Sequence, residues 1–404
     1  MADLIPEEAS ENDPCAATSL ARTSEFRCLG QSGLRFSRLC LGTANFGSAG
    51  DPAWVLSFDN AAAIFDRYLA WGGTAVDTAD AYHGGESERW IGRLIEERRC
   101  RDKLVLMTKI SLKISENNLN PNGCGNGRVH LRMALFNSLQ RLKSDSIDVL
   151  WLHHWDKVTP FREVVHTMHD LVSNGLVRYY GFSNFPAWYV ASAHAYAEQN
   201  ALHGPIGIQM QYSLLERSID LEHIPMIANL GMGLVAWGAL ANGLLSGKYR
   251  FLGNGRIAGE GRMISSPITD STIDRLTDRS RRVCEALNQI AKARECEPSQ
   301  VAIGWLLRKE RTTSIAVGAR TLSQLEVALD ATRISIEDKI FSYLDDLSKF
   351  PVAYPYTFHD DAEQRRLNFG FAGKSQIVAE PAVDWQRPEV RHLKKQIEMK
   401  LSDQ

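Results

Sequence analysis

Four side chains have types that together can move a proton onto a carbonyl oxygen: Asp77, Tyr82, Lys109 and His153. Asp77 closes a short apolar run, Thr74-Ala75-Val76, and Tyr82 follows five residues later. A free phenol titrates near 10, so ionising it at pH 7 costs about 4 kcal/mol. An ammonium beside the ring favours the phenolate and lowers that cost, and a carboxylate keeps the ammonium charged and in place. Tyrosine is then the general acid, lysine and aspartate tune it, and histidine orients or polarises the acceptor. No metal is expected. The groups His153, His154, Asp156 and His166, His169 lack a third ligand at helical or strand spacing.

These four residues are far apart in sequence, so a frame must gather them. Eight short apolar runs alternate with amphipathic segments. The runs are Leu39 to Thr43, Thr74 to Val76, Leu104 to Lys109, Ile147 to His153, Val177 to Phe182, Ile208 to Met210, Leu234 to Trp237 and Ile315 to Val317. Alternation of this kind calls for an α/β fold with right-handed crossovers, and eight repeats over roughly 300 residues match a closed (β/α)8 barrel (TIM barrel). An open doubly wound sheet is the rival. It lacks a strand-GxGxxG-helix fingerprint, since Gly231-Met232-Gly233 precedes a strand. On a barrel, the ends of the strands meet at one mouth, where Asp77, Lys109 and His153 fall, with Tyr82 on the adjoining loop.

Phe26 to Ser37 alternates across Gly30 and Gly33 and is expected to form an N-terminal β-hairpin. Thr159-Pro160 is expected to cap and begin a helix that Gly175 ends. Residues 238–278 are Gly-rich and read as irregular. The expected organisation is a polar arm over 1–24, the barrel over 25–350, and a C-terminal extension over 351–404. In the extension, Tyr354, Tyr356 and Phe358 could shape the mouth. Pro388 could open a helix striped by Val390, Leu393, Ile397 and Leu401, packing on its own barrel or making a homo-oligomer contact.

The formal net charge of −2 leaves no electrostatic footprint for nucleic acid or acidic membranes, and no apolar run reaches bilayer length. Seven scattered cysteines without a CxxC pair fit a reducing compartment, and the expected location is cytoplasmic.

Val76-Asp77-Thr78-Ala79-Asp80-Ala81-Tyr82, Thr108-Lys109, Ile147 to His153 and Val177-Arg178-Tyr179-Tyr180-Gly181-Phe182-Ser183-Asn184 strongly resemble the aldo-keto reductase superfamily. The branch they look most like contains aryl-alcohol dehydrogenase-like and sugar-ketone reductases. The resemblance implies an NADP(H)-dependent oxidoreductase that reduces an aldehyde or ketone, with Tyr82 as acid, Lys109 and Asp77 tuning it, and His153 orienting the substrate. It also implies that Ser183, Asn184 and Gln209 bind the nicotinamide amide and that Trp237 stacks on its ring. The stretch Gly238 to Lys248, with Leu240 and Gly243, would wrap the pyrophosphate. Gly42 and Thr43 would line the cofactor site near Asp77, and Gly318, Arg320 and Gln324 would hold the adenine end, Arg320 pairing with a 2′-phosphate. Where the family commonly has a Glu-Asn pair, this chain has Val327 and Ala328, a departure at the adenine end. An alternative class is a cofactor-binding regulator with little turnover, as in the β subunits of voltage-gated potassium channels.

Overall fold

The computed structural model describes residues 25–48, 55–114, 119–253, 256–265, 276–350, 352 and 354–359. Eight parallel strands close into a barrel: β3 (Leu39–Gly42), β4 (Ala75–Asp77), β5 (Val105–Ile110), β6 (Ile147–Leu152), β7 (Val177–Ser183), β8 (Gly207–Gln211), β9 (Gly233–Trp237) and β12 (Thr312–Val317). Each pairs with its neighbours in chain order, and β12 closes the ring against β3. The strands are apolar on both faces because both are covered; all six residues of β6 are buried. The (β/α)8 architecture expected from the sequence is the one observed.

The parallel register sets the height of every strand-end residue. Gly42 pairs with Asp77, Asp77 with Met107, Lys109 with Trp151, and Ser183 with Gln209. Asp77, Lys109, Ser183 and Gln209 therefore reach the same end of the barrel, one strand after another. Gly181 shows how tight this packing is. A Cβ there would sit 2.3 Å from the Gly207 carbonyl oxygen and 2.5 Å from the Trp151 ring, so only glycine lets β7 lie against β6 and β8.

Amphipathic helices cover the outside. α1 (Phe58–Trp71) turns Ala61, Ile64, Phe65 and Tyr68 inward, as their spacing predicts, and α3 (Arg128–Leu142) does the same with Leu131, Leu135, Leu139 and Leu142. The other face-covering helices are α2 (Glu86–Arg98), α4 (Phe161–Ser173), α5 (Ala187–Gln199) and α6 (His223–Leu230). After the short turn α7 (Arg262–Ser265) come α8 (Asp278–Ala293), α9 (Pro298–Arg308), α10 (Leu322–Asp330) and α11 (Asp338–Leu347).

The opposite end of the barrel is plugged by the expected hairpin, β1 (Phe26–Cys28) against β2 (Arg35–Ser37). Leu29 and Phe36 are fully buried there, in one cluster with Cys40, Met107, Val149, Trp151 and Val235 from the barrel interior. Gly30 turns at φ +59°, where a Cβ would meet the Gly231 carbonyl at 2.6 Å.

Two local expectations fail. Pro160 is itself the N-cap of α4, and the Thr159 hydroxyl donates to Asp156 Oδ2 at 2.6 Å instead of capping the helix. The stretch expected to be irregular contains an antiparallel pair, β10 (Arg250–Gly253) with β11 (Arg256–Ala258). Its Gly-rich composition hides a hairpin too short for alternation to register. The chain divides into two compact units, Met1–Lys349 and Phe350–Gln404. Within the second, a single helical turn, Tyr356–His359, is described, and the helix expected from Pro388 lies outside the described residues. Among the described residues no helix is long and apolar enough to cross a membrane.

Candidate active site

At the C-terminal mouth, Asp77 and Lys109 form a salt bridge with both side chains nearly fully buried, 4% and 2% exposed. Lys109 Nζ also donates to the Thr78 carbonyl at 2.8 Å, and Gln209 Nε2 donates to the second Asp77 oxygen at 2.8 Å. Both carboxylate oxygens are thus engaged. The ammonium lies 4.8 Å from the centre of the Tyr82 ring, and the His153 ring meets Tyr82 edge-on at 5.9 Å between centroids. Tyr82 begins a tight turn held by its N–H to the Ala79 carbonyl at 3.2 Å. The Asp80 N–H to Lys109 carbonyl bond at 3.0 Å ties that loop to the end of β5. Four residues from three strand ends and one loop are brought together.

The electrostatics follow from burial. Lys109 would lose affinity for its proton through desolvation, but Asp77 and then Tyr82 more than reverse this and hold it above its ordinary value. The Tyr82 phenol goes up, not down. Burial outweighs the favourable charge of Lys109, and Asp77 adds to the rise. The expected lowering by the neighbouring ammonium is present, but desolvation of the phenolate is the larger effect. A phenol so placed holds its proton at neutral pH and can act as a donor. Burial, then the charge of Lys109, pushes His153 down to about 3, so the imidazole is neutral and offers one N–H to an acceptor. Of the two adjacent histidines, His153 faces inward and His154 is exposed.

The remaining expected residues lie around this centre with varied engagement. Thr43 donates its hydroxyl to the Asp77 carbonyl at 3.1 Å and bonds Ser87 Oγ at 2.8 Å, so its side chain braces β3 against β4. Gln209 is committed at least in part to Asp77. Ser183 is buried, and Asn184 Nδ2 donates to Ser183 Oγ and to the His153 carbonyl, each at 3.0 Å. Asn184 has φ +59°, which turns the chain out of β7. Trp237 ends β9 with its indole Nε1 buried and without a partner among the described residues. Gly238 and Gly243 take φ +70° and +88° on the loop that follows, through Leu240 to Lys248. Lys248 is exposed, and its pKa is lowered by partial burial and by the nearby charge of Arg320. Two cations from distant segments therefore face one region. Gly318 lies beside Gly42, with the Asn45 amide donating to the Ala319 carbonyl at 2.7 Å.

Gln324 accepts from the Arg320 N–H at 2.9 Å, while its own N–H donates to the Thr321 hydroxyl at 3.2 Å. That arrangement anchors the start of α10. Val327 is half-buried and Ala328 is buried against the core, so Ala328 faces inward.

Three features were not read from the sequence. The Thr78 carbonyl on Lys109 has no side-chain signal. Asp80 is fully buried, neither of its oxygens has a hydrogen-bond partner among the described residues, and burial with the neighbouring Glu88 charge holds it well above the carboxylate range. Trp155 and Trp188 meet edge-on at 5.8 Å just beyond His153 and Asn184, and Trp188 is 56% exposed. Their aromatic character was visible, but nothing local linked a residue on the loop after β6 to one in the first turn of α5.

A parallel eight-stranded barrel with a buried Asp-Lys pair against a tyrosine and a neutral histidine at its C-terminal mouth defines a class of barrel suited to proton transfer at a carbonyl. A family model, the Aldo/keto reductase family, matches residues 38–349. Norsolorinic acid reductase of Aspergillus flavus is 31% identical over 335 residues, 81% of this chain and 81% of its own length. An uncharacterized oxidoreductase of Bacillus subtilis is 35% identical over 81% of this chain and 97% of its own. A probable aryl-alcohol dehydrogenase of Saccharomyces cerevisiae is 31% identical over 74% of this chain and 90% of its own. This chain belongs to the aldo/keto reductase family, as the motifs around Asp77, Lys109 and His153 imply.

Proposed function

We propose that this protein is an NADP(H)-dependent reductase that converts an aldehyde or ketone to an alcohol. Tyr82 protonates the carbonyl oxygen. The observation that carries the reading is the Asp77–Lys109 pair beneath a phenol that keeps its proton at neutral pH. Lys109 stays charged and stabilises the negative charge that develops on the Tyr82 oxygen as the proton leaves, a stabilisation made stronger by low local polarity. Gln209 and the Thr78 carbonyl fix the pair so that little reorganisation accompanies transfer. Neutral His153 donates to the same carbonyl oxygen and orients it.

When bound, the nicotinamide supplies the hydride. The donor set fits such a group. Lys248 and Arg320 present two cations to one region, suited to a phosphate; Asn184 donates to the His153 carbonyl, and Trp237 ends β9 at the same end of the barrel. Trp155 and Trp188, in the segments that follow β6 and β7, meet edge-on, an aromatic pair suited to a flat carbonyl substrate. The names of the aryl-alcohol and norsolorinic acid relatives support the same choice.

The test is consumption of NADPH with aromatic, aliphatic and sugar carbonyls, with Tyr82→Phe alongside. Turnover on aromatic carbonyls that the variant loses, with NADPH binding kept, is the expected result. Unchanged turnover in Tyr82→Phe refutes the mechanism. Binding without any turnover points to a cofactor-sensing protein instead.

A further inference from the structure

Asp80 is a buried ionisable group that the proposed chemistry leaves unused. It stands between Asp77 and Tyr82 on the loop that carries the phenol, and it is fully buried. Its N–H donates to the Lys109 carbonyl at 3.0 Å, which ties the loop to the end of β5. Its carboxyl has no hydrogen-bond partner on either oxygen among the described residues. Buried polar atoms left in this way are uncommon and call for a physical reason.

The surrounding groups decide its charge state. Glu88, in the first turn of α2, is also fully buried, and both of its oxygens are engaged. Thr108 Oγ1 from β5 donates to one and Arg141 Nε from the last turn of α3 donates to the other, each at 2.6 Å. Arg141 is thus already paired with Glu88, and Lys109 is paired with Asp77. Two interacting carboxyls in a dry cluster do not both ionise against one cation. Glu88 has the donors, so Glu88 carries the charge and the proton falls to Asp80. A buried carboxylate without donors costs far more than its protonated form. Burial, reinforced by the Glu88 charge, holds Asp80 well above the carboxylate range. Arg141, the Ala81 N–H and Lys109 pull the other way without overcoming it.

The uncharged state bears on Tyr82. Lys109 favours negative charge on the phenol oxygen and Asp77 opposes it. An ionised Asp80 would be a second opposing charge and would share the field of Lys109. We propose that Asp80 is a positioning residue, a neutral acid that holds the Tyr82 loop against β5 and α2 and leaves the field of Lys109 to the phenol. Its part in turnover rests on the reductase reading above, whereas its charge state and its hold on the loop do not.

The test begins with urea unfolding of the full chain and of Asp80→Asn across a range of pH. The folded wild type keeps a proton that the unfolded chain releases above about pH 4, so this group lowers stability as pH rises from there. Asparagine has no such proton. Relative to wild type, Asp80→Asn should gain in folded-to-unfolded ratio by up to roughly tenfold per pH unit above about pH 4. Infrared difference spectra at neutral pH should show a protonated-carboxyl band that deuteration shifts and Asp80→Asn removes. A stability difference that is constant with pH overturns the neutral acid, as does a band that is absent or survives in Asp80→Asn. Amide exchange at Tyr82 reads the loop. Asp80→Ala should speed that exchange roughly tenfold or more, through the cavity it leaves. It should also lower kcat roughly tenfold with KM within about twofold, and Asp80→Asn should recover most of both losses. Should Asp80→Ala not fold, Asp80→Ser makes the same comparison. Unchanged exchange at Tyr82 in the folded variant, or a raised KM with kcat kept, overturns the positioning role. The pH-dependent gain and the faster exchange in a protein that turns over no carbonyl support Asp80 as a neutral, loop-holding acid and refute the reductase reading alone.

Discussion

Replacing Asp77 by Asn keeps the side chain's volume and removes one charge from a nearly dry pair. In the variant the Lys109 ammonium, 2% exposed, keeps only neutral partners: the Thr78 carbonyl at 2.8 Å, the Tyr82 hydroxyl and the new amide oxygen. Removing one partner of a buried pair costs roughly 3–5 kcal/mol. Lys109 has an escape, because desolvation already opposes its charge and Asp77 is what holds it up. Without Asp77 the amine sheds its proton, which caps the loss near the lower figure, about 3 kcal/mol. Urea unfolding should show this as a lower midpoint with an unchanged slope.

The pH dependence should also change character. In the wild-type protein Lys109 binds its proton more tightly folded than unfolded. Its stabilisation is therefore fully present below about pH 10 and fades only above that. In Asp77→Asn the folded lysine binds its proton less tightly than the unfolded one, so stability should rise as pH climbs toward the ordinary lysine value, about 10. Steady-state kinetics should show kcat lower by roughly 10²-fold or more, the usual scale for a positioned acid that loses its support. In a cycle with Lys109→Met, the double variant should lose less than the sum of the singles by about 1–3 kcal/mol. An unchanged midpoint and unchanged kcat, or strict additivity, would refute the coupling of Asp77, Lys109 and Tyr82.

His153, held down to about 3 in the folded chain against roughly 6.5 unfolded, should cost stability as pH falls from about 6.5 toward 3. The upper bound is roughly 5 kcal/mol, and His153→Gln should flatten that part of the profile; an unchanged profile would show that another group is responsible. For the same reason kcat/KM should show no ionisation near 6.5, and one that vanishes in His153→Gln would mean the imidazole is charged during turnover. Arg320→Ala should raise the Kd for NADPH about tenfold or more while leaving NADH nearly unchanged. Equal losses for the two cofactors, measured by fluorescence titration, would remove Arg320 from the phosphate role.

Much of the frame was legible because it rests on local pattern. Apolar runs of strand length recur between stripes such as Ala61, Ile64, Phe65, Tyr68, and that alternation admits few folds. The strand ends then fix which residues reach the mouth, so Asp77 and Lys109 could be named from order, whereas His153 was preferred over His154 only through the family resemblance. Short or composition-biased pieces were not legible in this way. The β10–β11 pair is hidden among glycines, and Pro160 rather than Thr159 caps α4 because Asp156 takes the threonine hydroxyl.

Residue types and their order along the chain determined the barrel, its N-terminal hairpin and which residues gather at its mouth, since each depends on spacing within a few residues. Partner choice and polarity came from closure of the barrel. It brings Gln209 to Asp77 across 132 positions and Lys109 to Asp77 across 32. It also buries the Tyr82 phenol enough for desolvation to outweigh the neighbouring ammonium and reverse the direction read from charge alone. A sequence records which charges are present, whereas the dielectric around them exists only once the strands have met.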